Sequence, residues 1–109
     1  MAPKLFTIKK RSTFVILRNE GRFIKGKNIN LQILHNQNLE KSIGVGYTAS
    51  KKIGNAVKRN KAKRIMRDLA RKIIINGKIN SYYVLIAKSS LLDEKFSNLL
   101  NELKEKIND

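Results

Sequence analysis

Residues 55–77 constrain the chain more than any other stretch, because as a helix they can face only one way. At about 100° per residue, Ala62, Ile65, Met66, Leu69 and Ile73 gather within an arc of about 100°, while Asn60, Lys63, Arg64, Arg67 and Arg71 gather within another facing away from it. Asn55 stands where an N-cap belongs, and Asn76-Gly77 where a helix stops. One side of this helix must lie on an apolar layer and the other must face water or a polyanion. The rest of the chain has to supply the layer.

The flanking patterns do so. Residues 28–34 alternate polar and apolar side chains, the period of a strand with one buried face. Residues 42–48 place Ile43, Val45 and Tyr47 on one side, with glycines opposite that allow close backbone approach. Residues 36–41 read as a hairpin loop, so these two strands are expected to pair antiparallel. Residues 82–87 form a continuous apolar run, as in a strand covered on both faces. A short helix is expected from Ser12 or Thr13 as cap to Gly21 as a left-handed C-terminal cap. A last helix is expected over 93–106, through Phe96, Leu99, Leu100, Leu103 and Ile107, with Glu102 and Lys106 as an i,i+4 pair. Arg22-Phe23-Ile24 leaves room for an extra short strand. The order strand, long helix, strand is a βαβ unit with its strands parallel. The expectation is an α+β or α/β sandwich forming one domain over residues 1–109, the first ten residues being a flexible basic arm.

The charge is unevenly placed. Residues 1–72 hold 19 basic and 3 acidic residues, whereas 73–109 hold 5 of each, so the whole formal excess of +16 lies in the first two thirds. Lys51 to Lys72 alone carries ten basic residues against Asp68. Such density exceeds what solubility requires and points to nucleic acid. A basic helix lying on an acidic membrane is the poorer reading, since its polar face contains asparagine and its apolar arc is needed for the core. No apolar run approaches the roughly 20 residues of a membrane span, and a soluble, cytoplasmic protein is the expectation.

Chemistry within the polypeptide is sparse. The chain has no cysteine, which removes thiolate nucleophiles and cysteine-based metal sites, and His35 is its single histidine, with no acid near it in sequence. Gly44, Gly46 and Gly54 do not make a phosphate-binding GxxxxGK[ST] loop. The acids of the last third sit in the terminal helix, where paired carboxylates for two-metal chemistry are not expected. No small-molecule cofactor is implied. The chain is expected to bind rather than to cleave bonds. Guanidinium groups fork onto phosphates, lysines add charge, and Asn55 and Asn60 can meet polar edges.

The stretch Lys51-Lys52-Ile53-Gly54-Asn55-Ala56-Val57, followed by Arg59-Asn60-Lys61, Lys63-Arg64 and Arg67, closely resembles the signature of the protein subunit of bacterial ribonuclease P. The resemblance is strong from Gly44 to Arg67 and extends by pattern over nearly the whole chain. It implies a small α/β sandwich of about four mixed strands and three helices, with a βαβ crossover that is left-handed, against the usual rule. It implies a subunit that assists a catalytic RNA in removing the 5′ leader of precursor tRNA, with magnesium held mainly by RNA phosphates. No catalytic residue and no metal ligand is then expected in this chain. The rival is a structural basic protein of ribosomal or nucleoid type.

Carried over residue by residue, the resemblance makes Lys51, Lys52, Asn55, Arg59, Asn60, Lys61, Lys63, Arg64 and Arg67 the contacts to the catalytic RNA, with Arg71 added on helical phase. Lys61 departs from the family's arginine, keeping charge but losing the bidentate fork. The family's leader cleft implies Phe14, Arg18 and Gln32 here. The latter two stand where aromatics are usual, so leader binding is expected to lean on charge.

Overall fold

The computed structural model describes residues 3–108. Five strands and three helices follow one another as β1 (Leu5–Thr7), α1 (Arg11–Glu20), β2 (Arg22–Ile24), β3 (Ile29–Leu34), β4 (Ile43–Thr48), α2 (Ala56–Lys72), β5 (Ser81–Ala87) and α3 (Phe96–Ile107). The strands form one mixed sheet in the order β1-β4-β5-β3-β2. The class is the expected α+β, with one strand more than expected. That strand comes from the segment expected to be a free arm: Leu5, Phe6 and Thr7 pair in parallel with Ile43, Gly44 and Val45. Met1 and Ala2 of the same segment, and Asp109, lie outside the described residues.

The hairpin expected between residues 28–34 and 42–48 does not form. β5 runs between them, antiparallel to β3 and parallel to β4. The physical reason lies in the strand compositions: β5 buries Tyr83, Val84, Leu85 and Ala87, and an apolar strand with two faces to cover takes the centre of a sheet. The loop after β3 steps over it, with Asn36, Glu40 and Lys41 at positive φ of 62°, 53° and 65°. Asn80 holds this loop by accepting at Oδ1 from the Leu39 and Lys41 N–H groups, at 3.2 and 2.8 Å.

The sheet divides two apolar layers. On one face Ile29, Leu31, Ile33, Ile43, Val45 and Leu85 pack against Met66, Leu69 and Ala70 of α2 and Leu99 and Leu103 of α3. On the other, Leu17 of α1 closes over Val84 and Ile8, flanked by Phe14, Leu34, Tyr82 and Ile86. The helix termini differ from the sequence expectation in detail. α1 begins after Lys10 with no side-chain cap, so neither Ser12 nor Thr13 serves. Gly21 is extended at φ −77°, ψ 162°, and is needed for another reason: a Cβ there would collide with the Leu17 carbonyl oxygen and lie 3.1 Å from that of Ile33. α2 stops at Lys72, and residues 74–76 tighten into a 3-10 turn closed by the Gly77 N–H on the Ile74 carbonyl at 2.7 Å. Glu102 is not used as the ion-pair partner of Lys106, although both side chains lie against Gly26. The Glu102 carboxylate instead accepts from the Asn28 N–H and Nδ2, both at 2.9 Å, and from the Ile29 N–H at 3.0 Å, tying α3 to the start of β3.

Candidate nucleic-acid interface

The start of α2 is built by three adjacent residues with three roles. Ile53 is buried and anchors the short 3-10 turn of Lys51–Ile53 to the core. Gly54 takes φ +136°, which side-chain-bearing residues avoid. Asn55 then caps α2, its Oδ1 accepting from the Lys58 N–H at 3.0 Å. Lys51 and Lys52 are thereby held on the outside of a rigid corner.

Along α2 the expected division into faces is present. Ala62, Met66, Leu69 and Ala70 are buried against the sheet. Asn55, Asn60, Lys61, Arg64, Arg67 and Arg71 are exposed, with Lys51 and Lys52 before them. Arg59 and Lys63, at the flanks of the polar arc, are half-buried. Besides the capping Asn55, both Arg71 and Arg67 on this face already have partners. The Arg71 Nη1 lies 3.3 Å from Asp68 Oδ1, in an exposed pair that contributes little. The Arg67 guanidinium stands 5.8 Å from the centroid of the Tyr47 ring. Burial pushes the Tyr47 hydroxyl above its usual range, with Arg67 and Arg71 pulling the other way. These side chains join Leu5, Phe6 and Thr7 around a recess of about 180 Å³ where α2 meets the sheet edge.

A second groove, of about 290 Å³, opens on the other face of the sheet. It is lined by Arg11, Phe14, Val15 and Arg18 of α1, by Gln32 of β3, Thr48 of β4, and Val84 and Ile86 of β5. Phe14, Arg18 and Gln32, singled out by the sequence, are therefore brought together. Phe14 is also a packing residue: its ring lies against Gly46, where a Cβ would come within 2.7 Å of Cε1, and it flanks the Leu17 cluster. Arg11 is the residue the sequence reading missed. Its position one helical turn from Phe14 and two from Arg18 was the available signal. β4 links the two surfaces, since Thr48 lines the groove and the chain proceeds directly to Lys51 and Lys52.

His35 does meet a hydroxyl, with Nδ1 2.6 Å from Ser81 Oγ. Ser81 is fully buried, so this pair is no accessible nucleophile and base. Burial, with Lys78 and Arg22, holds the His35 pKa below its usual value. Glu94 and Glu102 are both taken up by hydrogen bonds with Asn28 and its surroundings, and hydrogen bonds from Asn98 and the Lys95 N–H lower the Glu94 pKa. Among the described residues, no three His, Cys, Asp or Glu side chains cluster as a metal site, and no helix is long and apolar enough to cross a membrane.

The family model of ribonuclease P matches residues 2–109. The ribonuclease P protein component of Caulobacter vibrioides is 30% identical over 102 residues, covering 93% of this chain and 68% of that protein. That of Ruegeria pomeroyi is 35% identical over 99 residues, covering 89% and 79%. Among solved structures, the RNase P protein of Staphylococcus aureus superposes with a TM-score of 0.77 at 26% identity, covering 94% of this chain and 92% of that one. The Thermotoga maritima protein superposes at 0.79 with 19% identity, a likeness of fold. With a basic helix, an arginine-edged groove and a family match over nearly its whole length, the chain belongs to the ribonuclease P protein family, the protein component of an endoribonuclease that works with RNA.

Proposed function

We propose that the two surfaces bind two RNAs: α2 and its leading corner dock on the catalytic RNA, and the α1 groove receives the single-stranded 5′ leader of precursor tRNA. The observation that carries this reading is the placement of the cations. Asn60, Arg64, Arg67 and Arg71 share one exposed face with Lys51, Lys52, Asn55 and Lys61 beside it, while the groove has a phenyl ring against its floor and arginines at its rim. Arg59 and Lys63, half-buried, meet the phosphates at the margins of that face. Arginine supplies paired donors to phosphate, and stacking on an aromatic ring holds an unpaired base regardless of sequence. In the groove, Arg11 and Arg18 neutralise the leader's phosphates while Phe14 offers its ring to a base. Gln32 replaces stacking by a hydrogen bond to a base or sugar.

Magnesium in this reading belongs to the RNA, where it would activate the attacking water and stabilise the leaving oxygen. Among the described residues no three His, Cys, Asp or Glu side chains come together to fit a magnesium ion, and Glu94 and Glu102 already accept hydrogen bonds from Asn28. The protein's part is to hold the precursor where the RNA can act, and it works in the cytoplasm alongside its substrate. The test is cleavage of a precursor tRNA at low magnesium by the catalytic RNA, with and without this chain. Stimulation of leader removal is expected. Cleavage by the protein alone, or RNA activity unaltered by the protein, would overturn the reading.

A further inference from the structure

We propose that Phe23, on the edge strand β2, is a second stacking platform for the leader, replacing the aromatics that Arg18 and Gln32 displace. The proposal rests on the reading of the α1 groove as the leader site.

Phe23 is 55% exposed and belongs to neither apolar cluster. Its direction follows from its neighbour: Ile24 is buried in the layer under α2 and α3, so Phe23, one residue earlier in a strand, points to the face that carries α1. In the β2–β3 register Phe23 lies opposite Gln32. Gln32 in turn lies opposite Val84, and Val84 opposite Gly46, the residue beneath the Phe14 ring. One row across the sheet therefore reads Phe23, Gln32, Val84, Gly46, with a phenyl ring at each end. At about 4.8 Å between strands the two ends stand about 14 Å apart. Gln32 and Val84 already line the groove, so Phe23 extends the same floor to the sheet edge. A phenyl ring left in water beside an arginine-rimmed groove has the chemistry of a base-stacking surface: an open π face within reach of cations that hold a phosphate backbone. The occupant this fits is an unpaired base of the leader, farther from Arg18 than the one at Phe14.

The experiment uses the chain assembled with its catalytic RNA and compares a precursor tRNA carrying a long leader with leaderless tRNA. Phe23→Ala is expected to weaken binding of the leader-bearing RNA about 5- to 100-fold and to leave leaderless tRNA unchanged, while Phe23→Tyr restores affinity. The chain has no tryptophan, so Phe23→Trp introduces a sole indole, excitable apart from the three tyrosines, whose emission should be quenched by the leader-bearing RNA alone. Wild-type affinity in Phe23→Ala, with leader-dependent binding lost in Phe14→Ala and Arg18→Ala, would overturn the proposal and leave the groove reading standing. No leader-dependent effect in any of the three would overturn both. An equal loss for leaderless tRNA would also overturn the role of Phe23.

Discussion

Gly46 supports the Phe14 ring directly: a Cβ at this position would lie 2.7 Å from Phe14 Cε1, 2.9 Å from Cζ and 3.2 Å from Val84 Cγ2. Gly46→Ala must displace the ring or the strand. Overfilling of this kind costs about 1–3 kcal/mol. Urea denaturation should show a loss in that range, accompanied by weaker binding of leader-bearing RNA. A variant normal in both respects would contradict the contact.

The cationic face of α2 leads to a salt-dependence prediction. Arg64 is exposed in the middle of that face, whereas Lys104 is exposed on α3, in the electrically balanced third of the chain. Arg64→Ala is expected to weaken binding to the catalytic RNA and to reduce the slope of log affinity against log salt by about one, as loss of one phosphate contact does. Lys104→Ala should leave the slope unaltered. The measurement is a titration of affinity across salt concentrations.

Glu102 ties α3 to β3 through three donors, and Asn28, which supplies two of them, is 3% exposed. Glu102→Ala leaves the two backbone N–H groups without a partner and the Asn28 Nδ2 with only the longer contact to Glu94, and should lower stability by about 2–3 kcal/mol in a denaturant titration. Glu102→Gln keeps one oxygen for the two backbone N–H groups and should lose less. RNA affinity under native conditions should follow stability in both variants, with no separate loss.

The His35 pKa is held down first by burial and then by Lys78 and Arg22. A histidine whose pKa is lower folded than unfolded stabilises the fold fully above its ordinary value of about 6.5 and loses that contribution as the pH falls through the lower folded value. Stability should therefore decrease between about pH 7 and pH 5, and His35→Gln should flatten that part of the curve. Thermal melts across this range check the sign. A His35→Gln profile as steep as the wild type would show that other groups carry the dependence.

How much of this was legible in the sequence depended on whether the determining contacts were local. The start of α2 was: Gly54 and Asn55 act within four residues of themselves, and the helical period alone separated Met66 and Leu69 from Arg64 and Arg67. The three groove residues Phe14, Arg18 and Gln32 came from resemblance, and the fold does assemble them. What stayed hidden depended on distant partners. The pairing of β3 with β5 in place of β4 is decided by which strand can be covered twice, and the use of Leu5–Thr7 as a strand by an edge that β4 leaves open. Glu102 reads as a helix-surface acid until Asn28 is seen beside it. Phe23 was placed correctly in a short strand, but its bearing on the groove needed the register that sets it opposite Gln32.

The position of β5 also governs when this protein becomes competent during its synthesis. β3 and β4 emerge from the ribosome long before the strand that separates them, and each has only its outer neighbour, β2 or β1, until residues 81–87 have followed. Until then α2 has no finished sheet to lie against, and its cations hang on an unanchored segment. A nascent chain of about 80 residues is thus strongly basic yet unable to present that charge as a surface. Only the neutral last third converts it into one. The segment that carries no net charge is what makes the charge selective.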